Sequence, residues 1–156
     1  MAVTEETLAE KYTLIRYSVV SSTQIASRVA AIISGLTQQT EQGEKPVIVC
    51  LTAQAKVASK LVSVVEIAKR DLASKGVRCF QYSALDSRLV DVPRQPRKKA
   101  NDRTHGDNDA EDPDDDFEVM PDPNGATKKR NMAVMAVYLS TTAVRDLRVE
   151  YGEQRQ

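Results

Sequence analysis

The 156-residue chain has no tryptophan, few other aromatic residues, two cysteines and a single histidine. His105 has no metal-ligand spacing around it, and the chain shows no Ser/His/Asp set, phosphate-binding glycine loop or anchored carboxylate pair. The sequence therefore predicts a protein that is not an enzyme and that uses no cofactor or metal. Scarce aromatics without a basic-aromatic repeat also argue against base stacking, for which the candidates are Tyr17, Phe80, Tyr82 and Tyr138.

Cysteine pairing and membrane insertion have little support in the sequence. Cys50 and Cys79 fall inside predicted strands without a Cys/His pattern, so we expect two apolar thiols. No apolar run approaches the roughly 20 residues that span a bilayer. The N-terminal sequence MAVTEETLAEK has neither the basic region nor the apolar core of a signal peptide. We expect an intracellular protein with no membrane partner, in the nucleus or the cytoplasm.

No excess of either charge exists, because 22 basic residues balance 22 acidic ones. This balance excludes a uniformly basic nucleic-acid binder, but the placement of charge matters more than its sum. An acidic tract at 107–118 (DNDAEDPDDDFE) lies between basic segments at 93–99 (PRQPRKK) and 128–130 (KKR). The tract either competes with nucleic acid for the basic segments or keeps the chain soluble. A calcium loop is disfavoured because the sixth-position glycine is missing and Pro113 interrupts the tract.

Residues 45–80 have the pattern of a buried strand, a small-residue turn, an amphipathic helix and another strand. Residues 47–51 form a continuous apolar run with the length of a strand covered on both faces. Apolar residues then recur at helical spacing, and Gly76 suits the left-handed residue that ends a helix. The stripe consists of Val57, Leu61, Val64, Val65, Ala68 and Leu72. A helix that packs on the preceding strand is therefore expected.

A similar strand and helix precede this unit. Residues 12–17 (YTLIRY) suit a first strand, and Ser21 with Gln24 has the spacing of a capping box. An apolar stripe at helical spacing follows, which predicts a helix packed on the core. The stripe consists of Ile25, Val29, Ile32, Ile33 and Leu36.

Two further strands are predicted at 77–83 and 132–140, separated by a long insertion at about 86–131. The insertion has almost no apolar periodicity and cannot offset its ordering entropy, so we expect it to be disordered. The predicted fold is an α+β two-layer sandwich, βαβαββ, in which two helices cover one face of a four-stranded sheet and the final pair is antiparallel. One domain at 1–144 would then carry a polar tail at 145–156.

The segment AQAKVASKLVSVVEIAKRDL resembles the Alba family of small nucleic-acid-binding proteins. The resemblance lies in a basic small-residue turn leading into a helix with valines and a Glu-Ile pair, here Glu66 and Ile67. It implies the same βαβαββ order, a dimer and a hairpin arm that engages nucleic acid. The arm corresponds to the insertion.

The resemblance also implies which residues contact nucleic acid. The family's basic positions before and within the second helix fall on Gln54, Lys56 and Lys60, of which only the lysines carry charge. Its lysine pair at the start of the first helix aligns with Ser22 and Thr23, and Arg28 lies one turn further on. The arm adds basic residues at both ends, namely Arg94, Arg97, Lys98, Lys99, Lys128, Lys129 and Arg130.

Three functions remain open at this point. The first is a nucleic-acid-binding protein directed at RNA, acting as a homodimer or as a heterodimer with another Alba-like protein. The second is a scaffold subunit that pairs with another Alba-like chain in a ribonucleoprotein such as ribonuclease P/MRP. The third is a DNA-binding protein of the chromatin type, which the missing lysine pair makes less favourable.

Overall fold

The computed structural model describes residues 3–38, 45–93 and 127–156. The chain forms two compact units, one made of Met1–Arg88 with Met132–Gln156 and the other of Leu89–Asn131. No helix in the described part is long and apolar enough to cross a membrane. The elements in chain order are α1 (Glu5–Lys11), β1 (Thr13–Val19), α2 (Ile25–Thr37), β2 (Val47–Gln54), a short 3-10 helix (Ala55–Val57), α3 (Ala58–Ser74), β3 (Phe80–Pro93), β4 (Thr127–Ser140), α4 (Arg145–Tyr151) and β5 (Gln154–Arg155).

The strands form one mixed sheet in the order β1-β2-β4-β3-β5. Strands β1 and β2 are parallel, with Thr13 opposite Val47 and Val19 opposite Ala53. Strand β4 runs antiparallel to β2, so the chain inserts it between β2 and β3. The predicted succession of strand, helix, strand, helix, strand and strand is therefore confirmed within this sheet.

Both predicted amphipathic helices pack on the same face of the sheet. Four of the five α2 stripe residues are buried and Ile25 is partly buried, while α3 buries its whole stripe apart from the half-buried Val57. They contact one side of β2, including Val49 and Leu51. Helix α3 gives way to Gly76, whose φ of 73° is the left-handed conformation that the sequence predicted. Both predictions of core-facing helices are confirmed.

The other face of the sheet is covered as well, which differs from the predicted open face. Helices α1 and α4 pack there, where Leu8 and Leu147 contact Ile48, Cys50 and Tyr138 in a second apolar cluster. The Lys11 ammonium and the Asp146 carboxylate lie 2.9 Å apart and link the two helices. The predicted polar tail at 145–156 therefore contains a helix and a short strand. Periodicity missed both helices because each has seven residues and buries only one.

The start of α2 also differs from its prediction. Gln24 is the N-cap residue and caps with no side-chain hydrogen bond, so Ser21 and Gln24 do not form a capping box. A tight turn precedes the helix instead, in which the Thr23 hydroxyl accepts a hydrogen bond from the Val20 amide at 2.9 Å. Because of this turn, α2 begins at Ile25 rather than directly after Ser21.

Strands β3 and β4 extend further into the predicted insertion than apolar patterning indicated. Strand β3 extends to Pro93 and strand β4 begins at Thr127, although most side chains at 85–92 and 127–131 are exposed. Backbone pairing holds a strand without an apolar face, so periodicity underestimates such lengths. Residues 94–126, with the acidic tract and His105, lie outside the described residues, and their disorder stays a prediction.

Both cysteines are buried free thiols, as predicted. Cys79 belongs to the α2/α3 side of the core and Cys50 to the α1/α4 side. Burial raises the pKa of each thiol to about 11. Since the thiolate is the reactive form, these cysteines serve as small apolar core residues.

The buried Tyr82 hydroxyl joins the sheet to the C-terminal segment. It accepts a hydrogen bond from the Val144 amide at 2.8 Å and donates one to the Glu153 carboxylate at 3.0 Å. Burial raises the pKa of Tyr82 to about 12, so the hydroxyl keeps its proton at neutral pH. These two bonds fix α4 where it begins and just after it ends.

Replacing Tyr82 by phenylalanine is expected to lower the free energy of unfolding by about 1–3 kcal/mol, because the buried Val144 amide loses its acceptor. Urea denaturation followed by circular dichroism measures the change. Tyr17→Phe is the matched control, since the Tyr17 hydroxyl makes no hydrogen bond within the described part of the chain. Equal midpoints for the two variants would show that the Tyr82 hydroxyl contributes no net stability.

Candidate nucleic-acid interface

The predicted contact residues of the core lie where two parallel strands end. Strands β1 and β2 are neighbours, and their last paired residues are Val19 and Ala53. The connection 20–24 follows one of them and the turn 54–57 follows the other, so both lie at the carboxyl edge of the sheet. Each leads into the N-terminus of a long helix, α2 or α3. The carboxyl ends of parallel strands are where ligands bind in many α/β proteins.

A direct hydrogen bond joins the connection 20–24 to the start of α3. The Lys60 ammonium, in the first turn of α3, donates to the Ser21 carbonyl at 2.6 Å. Lys60 is half-buried, so this bond anchors the connection that precedes α2. Sequence reasoning selected both regions separately, but the contact between them has no sequence signal because 39 residues separate the two partners.

The remaining predicted residues of this edge are accessible. Ser22, Gln54 and Lys56 are exposed, and Thr23 is half-buried. Lys56 occupies the 3-10 helix between β2 and α3 and makes no ion pair within the described part of the chain. We refer to Ser22, Thr23, Gln54, Lys56 and Lys60 as the carboxyl-edge surface.

The carboxyl-edge surface combines two kinds of donor suited to a phosphate. Its lysines supply positive charge, and its hydroxyl and amide side chains supply neutral hydrogen-bond donors. The first turn of α2 adds backbone amides that have no partner inside that helix, whereas the first amide of α3, that of Ala58, donates to the Ala55 carbonyl. The arrangement can hold an extended anionic backbone without reading base edges.

Arg28 has structural contacts that sequence reasoning did not anticipate. Its guanidinium lies 4.8 Å from the centre of the Tyr17 ring and donates a hydrogen bond to the Ser18 carbonyl at 3.2 Å. The buried Arg28 Nε has no hydrogen-bond partner among the described residues. Arg28 therefore braces the end of β1 from the first turns of α2, and its predicted phosphate contact remains a prediction.

The basic residues of the predicted arm are only partly described. Three of them follow the first residue of strand β4, namely Lys128, Lys129 and Arg130. Lys129 and Arg130 are exposed, and Lys128 is half-buried. The other predicted arm residues, Arg94, Arg97, Lys98 and Lys99, lie outside the described residues.

The aromatic residues considered for base stacking have other partners. Tyr82 and Tyr138 are buried beneath α1 and α4, and the Tyr138 ring stacks on Tyr151 with 5.9 Å between centres. Tyr17 supports Arg28, and the half-buried Phe80 has the Arg155 guanidinium 6.0 Å from its ring centre. Because these four rings contact other protein groups, they are not available to stack on bases. The phosphate and sugar groups of a nucleic acid are therefore the better match for this protein.

An apolar groove of about 510 Å³ is lined by residues of α2 and α3. It lacks the convergent polar groups that usually orient a small-molecule ligand in a binding pocket. Its lining consists of Ile25, Ala26, Val29, Ala30, Ile33, Ile67 and Asp71.

Several solved structures are similar to this chain. No family model matches the chain, and no curated protein matches it. Alba from Thermoplasma volcanium is similar to 82% of this chain and 99% of its own, at 13% sequence identity and a TM-score of 0.41.

The protein class follows from the topology of the chain itself. It is an α+β protein with a mixed five-stranded sheet, α2 and α3 on one face and α1 and α4 on the other. The strands and helices from β1 to β4 have the βαβαββ order that the resemblance to Alba implied. The predicted βαβαββ order is therefore confirmed.

Proposed function

We propose that this chain is a nucleic-acid-binding protein of the Alba type that contacts the phosphate backbone through the carboxyl-edge surface. The observation that carries the proposal is the hydrogen bond from Lys60 to the Ser21 carbonyl. It joins the connection before α2 to the first turn of α3, two regions that the sequence marked separately, and this proximity supports a shared binding surface. Each lysine that neutralises a phosphate releases condensed counterions, so binding of this kind depends strongly on salt.

RNA is the ligand class that this surface favours over packaged DNA. Ser22 and Thr23 stand where the resemblance places a lysine pair, so the surface has less charge but more hydroxyl donors. A double-stranded RNA minor groove presents 2′-hydroxyls and phosphates, which are recognised by shape and by polar contacts. Neutral donors can contact both groups. Packaging of DNA depends more heavily on the number of lysines that neutralise phosphates.

A binding assay with matched ligands tests the proposal. The full chain is titrated, at about 50 mM salt, into labelled duplexes of one sequence made as RNA and as DNA, and fluorescence anisotropy reports binding. We expect binding to both duplexes, with RNA bound more tightly. If neither the RNA duplex nor the DNA duplex bound, even after deletion of residues 107–118, the proposal would be contradicted.

The basic residues of the arm are proposed as a second contact. Arg94, Arg97, Lys98 and Lys99 precede the acidic tract, and Lys128, Lys129 and Arg130 follow it. Opposite charges this close in sequence attract one another, so the acidic tract competes with phosphates for the same basic groups. The tract then acts as an electrostatic brake on binding.

Neutralising the acidic tract is expected to tighten binding. The variant carries Asp112, Asp114, Asp115 and Asp116 changed to asparagine, which keeps side-chain size and removes four charges. We expect a severalfold lower dissociation constant at low salt and a smaller difference at high salt, since salt screens charges. Titrations at two salt concentrations measure this. Equal affinity of variant and parent at low salt would leave solubility as the role of the tract.

A dimer, either of two copies or with another Alba-like chain, is part of the proposal. Leu85 supports it, because its side chain is 85% exposed on a strand next to the core. A scaffold subunit in a ribonucleoprotein such as ribonuclease P/MRP is the alternative, in which the partner chain supplies the missing basic surface. Purification from cells separates these functions, since the scaffold requires a stoichiometric second chain.

A further inference from the structure

Three neutral polar side chains lie in one row near the carboxyl ends of β1 and β2. Ser18 is the pairing partner of Thr52 in the two parallel strands, and Gln54 follows Thr52 by two residues. Paired residues turn their side chains to the same face of a sheet, and so do alternate residues of one strand. By strand geometry the Cα atoms of Ser18 and Thr52 lie about 4.8 Å apart, and those of Thr52 and Gln54 about 6.6 Å apart. We refer to these three residues as the polar row.

The core on both strands fixes the face to which the polar row belongs. Cys50 precedes Thr52 by two residues and Leu14 precedes Ser18 by four, and both contribute to the apolar cluster beneath α1 and α4. The intervening Ala53 contributes instead to the cluster beneath α2 and α3. The polar row therefore continues the α1/α4 face towards the carboxyl edge of the sheet.

Helix α1 leaves the polar row uncovered. It begins at Glu5, whose carboxylate pairs at 2.7 Å with the guanidinium of Arg16, two residues before Ser18. Two members of the row are exposed, and Thr52 is half-buried. In the next strand Ala136 lies opposite Thr52, and its side chain is short. A ligand can therefore approach the row from the solvent.

The hydrogen-bonding groups of the polar row are uncommitted within the described part of the chain. Gln54 precedes the 3-10 helix without capping it, and neither hydroxyl of the row has a side-chain hydrogen bond there. The main-chain acceptors of the neighbouring connection are occupied, since the Val20 carbonyl accepts from the Thr23 amide and the Ser21 carbonyl from Lys60. The row thus supplies neutral acceptors as well as donors at this edge.

This combination of groups distinguishes a sugar hydroxyl from a phosphate. A phosphate oxygen only accepts hydrogen bonds, whereas a ribose 2′-hydroxyl both donates and accepts them, as do the hydroxyl and amide groups of the row. Lys56, the exposed lysine of the carboxyl-edge surface, lies two residues beyond Gln54. A sugar contact and a phosphate contact are therefore adjacent on the protein.

We propose that the polar row contacts ribose 2′-hydroxyls of a bound RNA while Lys56 holds an adjacent phosphate, so that Ser18, Thr52 and Gln54 determine the preference for RNA over DNA. The inference rests on the proposed function and names the residues that select its ligand class. Binding to the phosphate backbone does not need the row, because DNA lacks the 2′-hydroxyl. A failure of the inference therefore changes the preference for RNA, whereas a failure of the proposed function abolishes binding to both ligands.

A variant without the polar groups of the row provides the first test. S18A/T52V/Q54M removes them with no change in charge and little change in size. The full chain is titrated at low salt with RNA and DNA duplexes of one sequence, and fluorescence anisotropy reports binding. Each lost hydrogen bond weakens binding by about twofold to tenfold, so RNA affinity should fall by about tenfold or more and DNA affinity should stay at the parent value. The salt slopes should also stay at the parent values, because no charge is lost.

Two further variants serve as controls. Gln38→Met makes the same change as Gln54→Met at an exposed glutamine that ends α2, about 20 Å from the carboxyl edge by helix rise, and it should leave both affinities unchanged. Gln54→Met alone alters only an exposed side chain and should lower RNA affinity by about twofold to tenfold. An unchanged affinity for DNA shows in the same titration that each variant is folded.

A chemically altered ligand separates contact with the hydroxyl from recognition of helix shape. An RNA duplex with 2′-fluoro groups keeps the A-form geometry but has no 2′-hydroxyl donor. The parent should bind it more weakly than RNA, by a factor similar to the loss in S18A/T52V/Q54M. That variant should bind the 2′-fluoro duplex and the RNA duplex equally.

Three results would overturn the inference. The first is a parent chain that binds RNA and DNA equally, which would leave nucleic-acid binding itself in place. The second is an unchanged ratio of RNA to DNA affinity in S18A/T52V/Q54M, whether both affinities stay the same or both fall. The third is equal binding of the parent to the RNA and 2′-fluoro duplexes, which would assign the preference to helix shape.

Discussion

Replacing Lys56 by glutamate is expected to weaken nucleic-acid binding by about tenfold or more at low salt, because an attractive phosphate contact becomes repulsive. Lys56 is the exposed lysine of the carboxyl-edge surface and makes no ion pair within the described part of the chain, so its ammonium is available to a phosphate. The loss should be similar for ligands of different sequence, since phosphate contacts do not read bases. Anisotropy titrations of the variant and the parent measure it.

The salt dependence identifies the contact more directly. Lys56→Gln removes one charge, and the slope of log affinity against log salt concentration should become shallower by about 0.7–0.9. Lys75→Gln is the control for net charge, because it removes the same single charge from an exposed lysine that follows the last turn of the same helix. That residue lies roughly 28 Å from Lys56 by helix rise, well beyond the screening length of about 10 Å. An unchanged slope for Lys56→Gln would remove Lys56 from the interface.

Truncating Leu147 to alanine is expected to lower the free energy of unfolding by about 2–5 kcal/mol, a large part of the stability of a small protein. The Leu147 side chain is fully buried in the cluster beneath α1 and α4, so its removal leaves a cavity against the sheet. Urea denaturation at equilibrium gives the difference in free energy.

Val149 offers a matched control on the same helix, because its side chain is 79% exposed. Val149→Ala should change the free energy of unfolding by no more than about 0.5 kcal/mol. If α4 were a loose tail on an open sheet, Leu147→Ala and Val149→Ala would behave alike. The difference between the two variants therefore measures whether the second face is covered.

One sequence signal for the second face was present in β2. Residues 47–51 are apolar without alternation, and such a run is typical of a strand covered on both faces. The structure shows Val49 and Leu51 on one side and Ile48 and Cys50 on the other, all buried. The elements that cover the second face were not identifiable because α1 and α4 are too short to show periodicity.

The candidate site also has features that the sequence predicted and features that it did not. The resemblance placed Lys56 and Lys60 at the start of the second predicted helix, and the structure places both at the carboxyl edge of β1 and β2. The role of Arg28 was not predictable, because its stacking on Tyr17 depends on how α2 packs along β1. The partner of Lys60 was not predictable either, since a main-chain carbonyl has no residue-type signature.

Local sequence patterns were sufficient to predict the βαβαββ order, the core face of α2 and α3 and the segments that carry basic residues. These features depend on periodicity and turn chemistry within about 20 consecutive residues, which a single sequence displays. The second helical layer, the bond from Lys60 to Ser21 and the position of β4 between β2 and β3 became evident only in the folded chain. Each depends on contacts between residues far apart in the chain, and such contacts are selected by packing and backbone pairing rather than by local pattern.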